Sequence, residues 1–172
     1  GTGSARVGIF NEHGVLFGHA VEPIQTWKPE ANFVEQSSEN IWQSICSCCH
    51  SVLAETNIDA ESVKGIGFDA TCSLVLIDSL GEPVSVDADG EDAKNIIVWM
   101  DHRALEETSF INSFKEAYST FNFVGGQISP EMQLPKLLWL KKHLPKSWNR
   151  VAHFFDLPDY LTFRATGSTV RS

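Results

Sequence analysis

A chain of 172 residues that is 42% hydrophobic can bury a real core, and its size suits one domain or most of a larger one. No run of about 18 apolar residues occurs and no charged-then-apolar leader opens the chain, so neither a membrane span nor a secretory signal is legible and a cytoplasmic setting without membrane partners is expected. With 22 acidic against 13 basic side chains the formal charge is −9, which argues against nucleic acid as a partner, because gripping a phosphate backbone needs a basic face.

The first residues, Gly1-Thr2-Gly3-Ser4-Ala5-Arg6, stand with no strand in front of them. Glycines let backbone N–H groups come close to an anionic oxygen, and the hydroxyls of Thr2 and Ser4 and the guanidinium of Arg6 add donors. The run reads as a phosphate-binding turn; on its own such a start is more often a frayed terminus. Val7 to Phe10 and Val15 to Val21 are β-prone runs separated by Asn11-Glu12-His13-Gly14, which is turn chemistry, so a β-hairpin is predicted. A phosphate loop in front of a hairpin is not the strand–loop–helix arrangement with a Gly-Lys-Ser/Thr ending, and no such ending occurs.

An irregular stretch, Gln25 to Gln36, leads to a helix capped by Ser37 or Ser38 and running to about Thr56. Ile41, Trp42, Ile45, Cys49, Val52 and Leu53 recur there at helical spacing, which makes Cys49 a small core residue. The crowding of Cys46, Cys48 and Cys49 suggests zinc, but zinc knuckles need a second Cys pair elsewhere, and Cys72 stands alone. Reduced thiols in a cytosolic protein are the simpler reading. Strands are predicted at Val63 to Asp69, Leu74 to Asp78 and Asn95 to Trp99. The acidic stretch Asp87 to Asp92 lacks a calcium loop's twelfth ligand, Val98 standing there, and reads as a solvated connection. Helices follow at His102 to about Ser119, at Pro130 to Leu144 with Leu134, Leu137, Leu138 and Leu140 apolar, and from Pro158. An early hairpin with strands preceding helices predicts a mixed α/β sheet, and no repeat or linker marks an internal boundary.

The order of motifs carries a resemblance. G-T-G-S-A-R ahead of a hairpin is similar to the first phosphate loop of the actin/hexokinase/Hsp70 ATPase superfamily. The block Phe33 to Trp42, Gly67-Phe68-Asp69-Ala70-Thr71-Cys72-Ser73-Leu74-Val75, Trp99-Met100-Asp101-His102-Arg103, Gly125-Gly126, Pro135-Lys136-Leu137-Leu138-Trp139-Leu140, and Phe154 to Leu161 with Ala165-Thr166-Gly167 resemble the FGGY carbohydrate kinases. D-A-T-C-S with W-M-D-H-R looks most like the ribulokinase branch. The resemblance implies an actin-like, ribonuclease-H-like ATPase domain with a mixed sheet opening on an antiparallel hairpin. It implies ATP-dependent phosphorylation of D-ribulose or a related pentulose or polyol, with ATP and Mg2+ as cofactors, a sugar as partner and a possible homodimer. Residues 1–172 then form a partial N-terminal domain, without the start of its first strand, the rest of that domain or the C-terminal domain. The catalytic aspartate is expected beyond Ser172, so no catalytic residue is assigned and this length of chain alone should not turn over.

By the same resemblance Gly1, Thr2, Gly3, Ser4 and Arg6 lie near the nucleotide phosphates. The sugar lies near Ala70, Thr71, Cys72 and Ser73, where glycerol kinases carry Gln-Arg-Glu and xylulokinases Gln-Met-His. Glu131 stands where glycerol kinases place a substrate-contacting Tyr, and Asp101 and Arg103 follow a strand, where open sheets place ligands. Structural alternatives stay open: Thr71 as a strand-end cap, Glu131 as a first-turn helix residue, and Asp101 with Arg103 as a pair tying strand to helix. Lys136 reads as structural or surface. Two other classes also remain: a non-catalytic binding or regulatory module on the same fold, and another ATPase of the superfamily.

Overall fold

The computed structural model describes residues 2–171. Strands β1 (Ser4–Phe10) and β2 (Leu16–Pro23) form the expected antiparallel hairpin. Its turn is set by Asn11, whose side-chain oxygen accepts from the amides of His13 and Val15 at 2.9 Å each, and by Gly14 at φ 76°. Two strands alone are marginal in water. The hairpin lies on helix α1 (Ser38–Thr56), and Gly18 lets the two come close: a Cβ there would stand 2.5 Å from Thr56 Cγ2. Ser37 caps α1, its hydroxyl accepting from Asn40 N, and Asn57 ends it in the left-handed region. The buried stripe of α1 runs through Ile41, Ser44, Cys48 and Val52. Cys48 is therefore the core thiol and Cys49 is half-buried, a one-residue rotation from the sequence expectation.

The main sheet has five strands in the order β3 (Thr26–Trp27), β4 (Glu35–Gln36), β6 (Ile96–Ile97), β5 (Leu74–Ile77) and β7 (His153–Asp156). Every described ladder is antiparallel. Strand β5 is apolar at all four positions because both faces of the sheet are covered. Val75 and Ile77 pack with Ile41 of α1 and with Leu157, Tyr160 and Leu161 of helix α5 (Leu157–Thr166). Leu74 and Leu76 point the other way, to Trp139 and Leu140 of helix α3 (Gln133–His143). Helix α2 (Leu105–Asn112) packs on α3, and helix α4 (Pro145–Arg150) leads into β7.

Several expectations are corrected. Val63 to Asp69 forms no strand: Gly65 and Gly67 weaken it, no ladder takes up its amides, and Ile66 is 76% exposed. The stretch Gln25 to Gln36 is not irregular throughout, since it holds β3 and β4. The helix expected from His102 to Ser119 is confined to α2, followed by turns and a 3-10 segment, Ser119–Val124. The side chain of Asn112 binds both the amide and the carbonyl of Ile128 at 2.8 Å, which folds the chain back at that point. The acidic connection is built in: Asp87 is buried with Lys94 3.6 Å away, and Asp92 pairs with Arg150 at 3.0 Å.

Candidate functional site

The groups singled out near the two strand ends are joined through Trp99, in the turn after β6. Its indole Nε1 donates to Thr2 Oγ1 at 3.0 Å, and its amide donates to Ser73 Oγ at 3.1 Å. Ser73 Oγ lies 3.2 Å from Thr71 Oγ1. Gln36 fixes Thr2 from the other side, its Nε2 donating to Thr2 O at 2.8 Å and to Thr26 Oγ1 at 3.0 Å. Thr2, Ser4 and Arg6 share one broad cleft with Ala70 and Thr71, between β1, α1 and the exposed segment 63–70. Gly3 faces open space, with no heavy atom within 4 Å of where a Cβ would stand, so its backbone is open to an anion. Gly1 lies outside the described residues.

On the far side of Trp99 sits a buried ammonium. Lys136 Nζ donates to the carbonyls of Val98 and Trp99 at 2.9 Å each and of Glu131 at 3.2 Å. Burial pulls its pKa down to about 8; Asp101, Cys72 and Glu131 act against that pull and Arg103 adds to it. Glu131 precedes α3 rather than lying in its first turn. Its half-exposed carboxylate meets His102 Nε2 at 3.4 Å. Cys72 is exposed.

Asp101 and Arg103 lie behind this layer. Arg103 donates through Nε and Nη2 to Asp101 at 2.8–3.0 Å, through Nη2 to Glu35 Oε1 at 2.9 Å, and through Nη1 to Val86 O at 3.0 Å. Its guanidinium rests 4.2 Å from the Phe33 ring centroid and 4.9 Å from that of Trp139. Asp101 also accepts from the amides of Val34 at 2.6 Å and of Arg103 at 2.9 Å. Glu35 Oε2 is buried without a hydrogen bond, and desolvation, opposed by Arg103, raises the Glu35 carboxyl above its usual range. Chemically this layer is a brace, and the layer in front of it offers a hydroxyl, a thiol, a carboxylate and an imidazole.

Over residues 1–171 the chain matches the FGGY family of carbohydrate kinases, N-terminal domain. The chain belongs to that family. It is 46% identical to an FGGY carbohydrate kinase domain-containing protein of Homo sapiens over 173 residues, all of this chain and 31% of that protein. It is also 46% identical to a D-ribulokinase of Saccharomyces cerevisiae over 174 residues, all of this chain and 24% of that protein. The crystal structure of a xyloylose kinase from Brucella ovis superposes with a TM-score of 0.83 at 18% identity, covering 97% of this chain and 32% of that one. The FGGY chain thus spans about a third or less of the length of these relatives.

In this FGGY domain the structure brings together Thr2, Thr71 and Ser73 through Trp99, and Glu131 with Trp99 through Lys136. Asp101 and Arg103 stand apart, occupied with Val34, Glu35 and Val86. Trp99, His102 and Lys136 went unassigned to the site from sequence. All three sat inside motifs already singled out, but neither the direction of an indole N–H nor the burial of a lysine can be read from a motif. Among the described residues no three His, Cys, Asp or Glu side chains gather in a metal-holding group. No helix among them is long and apolar enough to cross a membrane.

Proposed function

We propose that the protein to which this domain belongs transfers a phosphoryl group from ATP to a hydroxyl of D-ribulose or a related pentulose or polyol, in the cytoplasm. The observation that carries the reading is the hydrogen-bonded run from Thr2 through Trp99 and Ser73 to Thr71, which places a phosphate-loop motif and a strand-end motif on one cleft. The D-ribulokinase relative supports the choice of sugar.

In this reading the Gly3 backbone, Thr2, Ser4 and Arg6 face the nucleotide phosphates, and Gly1, outside the described residues, is assigned with them by the motif alone. ATP supplies the transferred group when bound. Among the described residues no three His, Cys, Asp or Glu side chains gather, so no residue here is assigned to Mg2+ and no step is routed through it. On the sugar side Thr71 offers a hydroxyl. Ser73, already engaged by the Trp99 amide, orients Thr71, while Ala70 and Cys72 shape the wall. The Glu131 carboxylate can accept from two sugar hydroxyls. Asp101 and Arg103 serve the site from beneath by fixing the turn that carries Trp99. None of these groups is placed as the base that must take the proton of the attacking hydroxyl, and this length of chain is therefore inactive alone. The reading also includes a partial N-terminal domain completed elsewhere in the protein, and assembly as a homodimer.

Replacing Thr71 by Ala in the enzyme of natural length removes one hydrogen-bonding hydroxyl, worth about 1 kcal/mol, which is a roughly fivefold rise in the half-saturating sugar concentration. The half-saturating ATP concentration should stay within twofold. Steady-state ADP release measures both, and an unchanged sugar dependence contradicts the assignment.

A further inference from the structure

Lys136 is 1% exposed, and all three N–H donors of its ammonium are spent on backbone carbonyls, two from the Val98–Trp99 turn and one from Glu131. A buried charge held by neutral acceptors costs stability that an apolar side chain of the same length avoids. Packing α3 against the sheet does not need it, since Trp139 and Leu140 already supply apolar contact there. What the ammonium does that a methionine cannot is tie two separate segments together. Both carry site groups: Trp99 holds Thr2 and Ser73, and Glu131 presents its carboxylate.

We propose that Lys136 is a positioning residue for the sugar, its ammonium setting the spacing between the Trp99 turn, which holds Ser73 and through it Thr71, and the segment that carries the Glu131 carboxylate. This rests on the sugar-kinase reading above. The charged and titratable groups that face Lys136 are Asp101, Arg103, Cys72 and Glu131, with His102 beside Glu131.

The pH behaviour separates positioning from plain structural support. Above pH about 8 the Lys136 ammonium loses a proton and two N–H groups must serve three carbonyls; the Glu131 bond, the longest at 3.2 Å, is the first to go. Alignment of the pocket therefore weakens as pH rises through about 8. Stability moves the other way. The unfolded chain, with a lysine near its ordinary 10.5, binds more protons than the folded one between about 8 and 10.5, so this group's contribution to stability rises with pH.

The test uses the enzyme of natural length. Half-saturating D-ribulose and ATP are measured by ADP release from pH 6.5 to 9.5 for wild type and K136M. Independently of turnover, protection of exposed Cys72 from iodoacetamide by D-ribulose is read at pH 7 by peptide mass. In wild type, half-saturating sugar should rise about tenfold across an inflection near pH 8, with little change for ATP, while thermal stability does not fall with it. In K136M the sugar value should already be about tenfold higher at pH 7, with no inflection near 8, and Cys72 protection should need correspondingly more sugar. A sugar value within twofold of wild type, or an unchanged inflection in K136M, overturns the proposal. If K136M does not fold, the wild-type profile decides, and a flat profile overturns it. Wild type without sugar-dependent turnover or Cys72 protection removes the kinase reading and this inference together. Normal wild-type behaviour with an indifferent K136M removes the inference alone.

Discussion

Arg103 shows how one side chain can look like a ligand group in sequence and act as a brace in the fold. Its guanidinium joins Asp101, Glu35 and Val86 and is flanked by the rings of Phe33 and Trp139, with no donor aimed at the cleft. Removing it leaves two buried carboxylates without their cation, so Arg103→Met should cost about 3–5 kcal/mol in a urea or thermal unfolding measurement. Glu35→Gln should cost far less, about 1 kcal/mol or under near neutral pH, because the amide oxygen still accepts from Arg103 while the buried charge is gone. The sign with pH follows from the raised Glu35 carboxyl: the folded chain holds this proton more tightly, so the group's favourable contribution is present below its unfolded value and lost as pH rises through its folded value. Glu35→Gln should therefore compare better with wild type at pH 8 than at pH 5, and a difference that does not change with pH contradicts the account. Sequence left the Asp101–Arg103 pair open between sugar pocket and structure. The spacing of the two residues was visible, but the position of Glu35, 68 residues from Arg103, was not.

At the scale of elements, what was legible followed from local signals: the Asn11–Gly14 turn, the Ser37 cap and the apolar run of β5. What was not legible depended on neighbours. Segment 63–69 has strand-forming residues but no partner strand, while the two-residue strands β3, β4 and β6 exist only through pairing across the sheet. The same logic governs how the hairpin sits on α1. A Cβ on Gly18 would lie 2.5 Å from Thr56 Cγ2, and Thr56 cannot easily turn away because its hydroxyl donates to Val52 O at 2.7 Å. Gly18→Ala should destabilise by about 1–3 kcal/mol through overpacking. Adding Thr56→Ser, which deletes that methyl and keeps the hydroxyl, should return most of the loss. Unfolding of the single and double variants measures the coupling, and independent, additive effects contradict the close approach.

For the whole molecule, the two-faced sheet has α1 and α5 on one side and α3 on the other, and the chain's first residues share one cleft with α1 and with Ala70 and Thr71. The family was legible because its motifs lie in order along essentially the whole chain, and the family match spans residues 1–171. The site was legible only in part. Motif positions gave Thr71 and Glu131 of the proposed site, whereas Trp99 and Lys136 enter that proposal only because separate segments meet in space. The most direct measurement of the central claim is ADP release from Mg-ATP by the enzyme of natural length, with D-ribulose, L-ribulose, D-xylulose, ribitol, glycerol or no sugar, beside the isolated 172 residues. D-ribulose should stimulate the long enzyme most strongly, and no sugar should stimulate the isolated chain. No stimulation by any sugar in the long enzyme, or sugar-dependent turnover by the isolated chain, would contradict the claim.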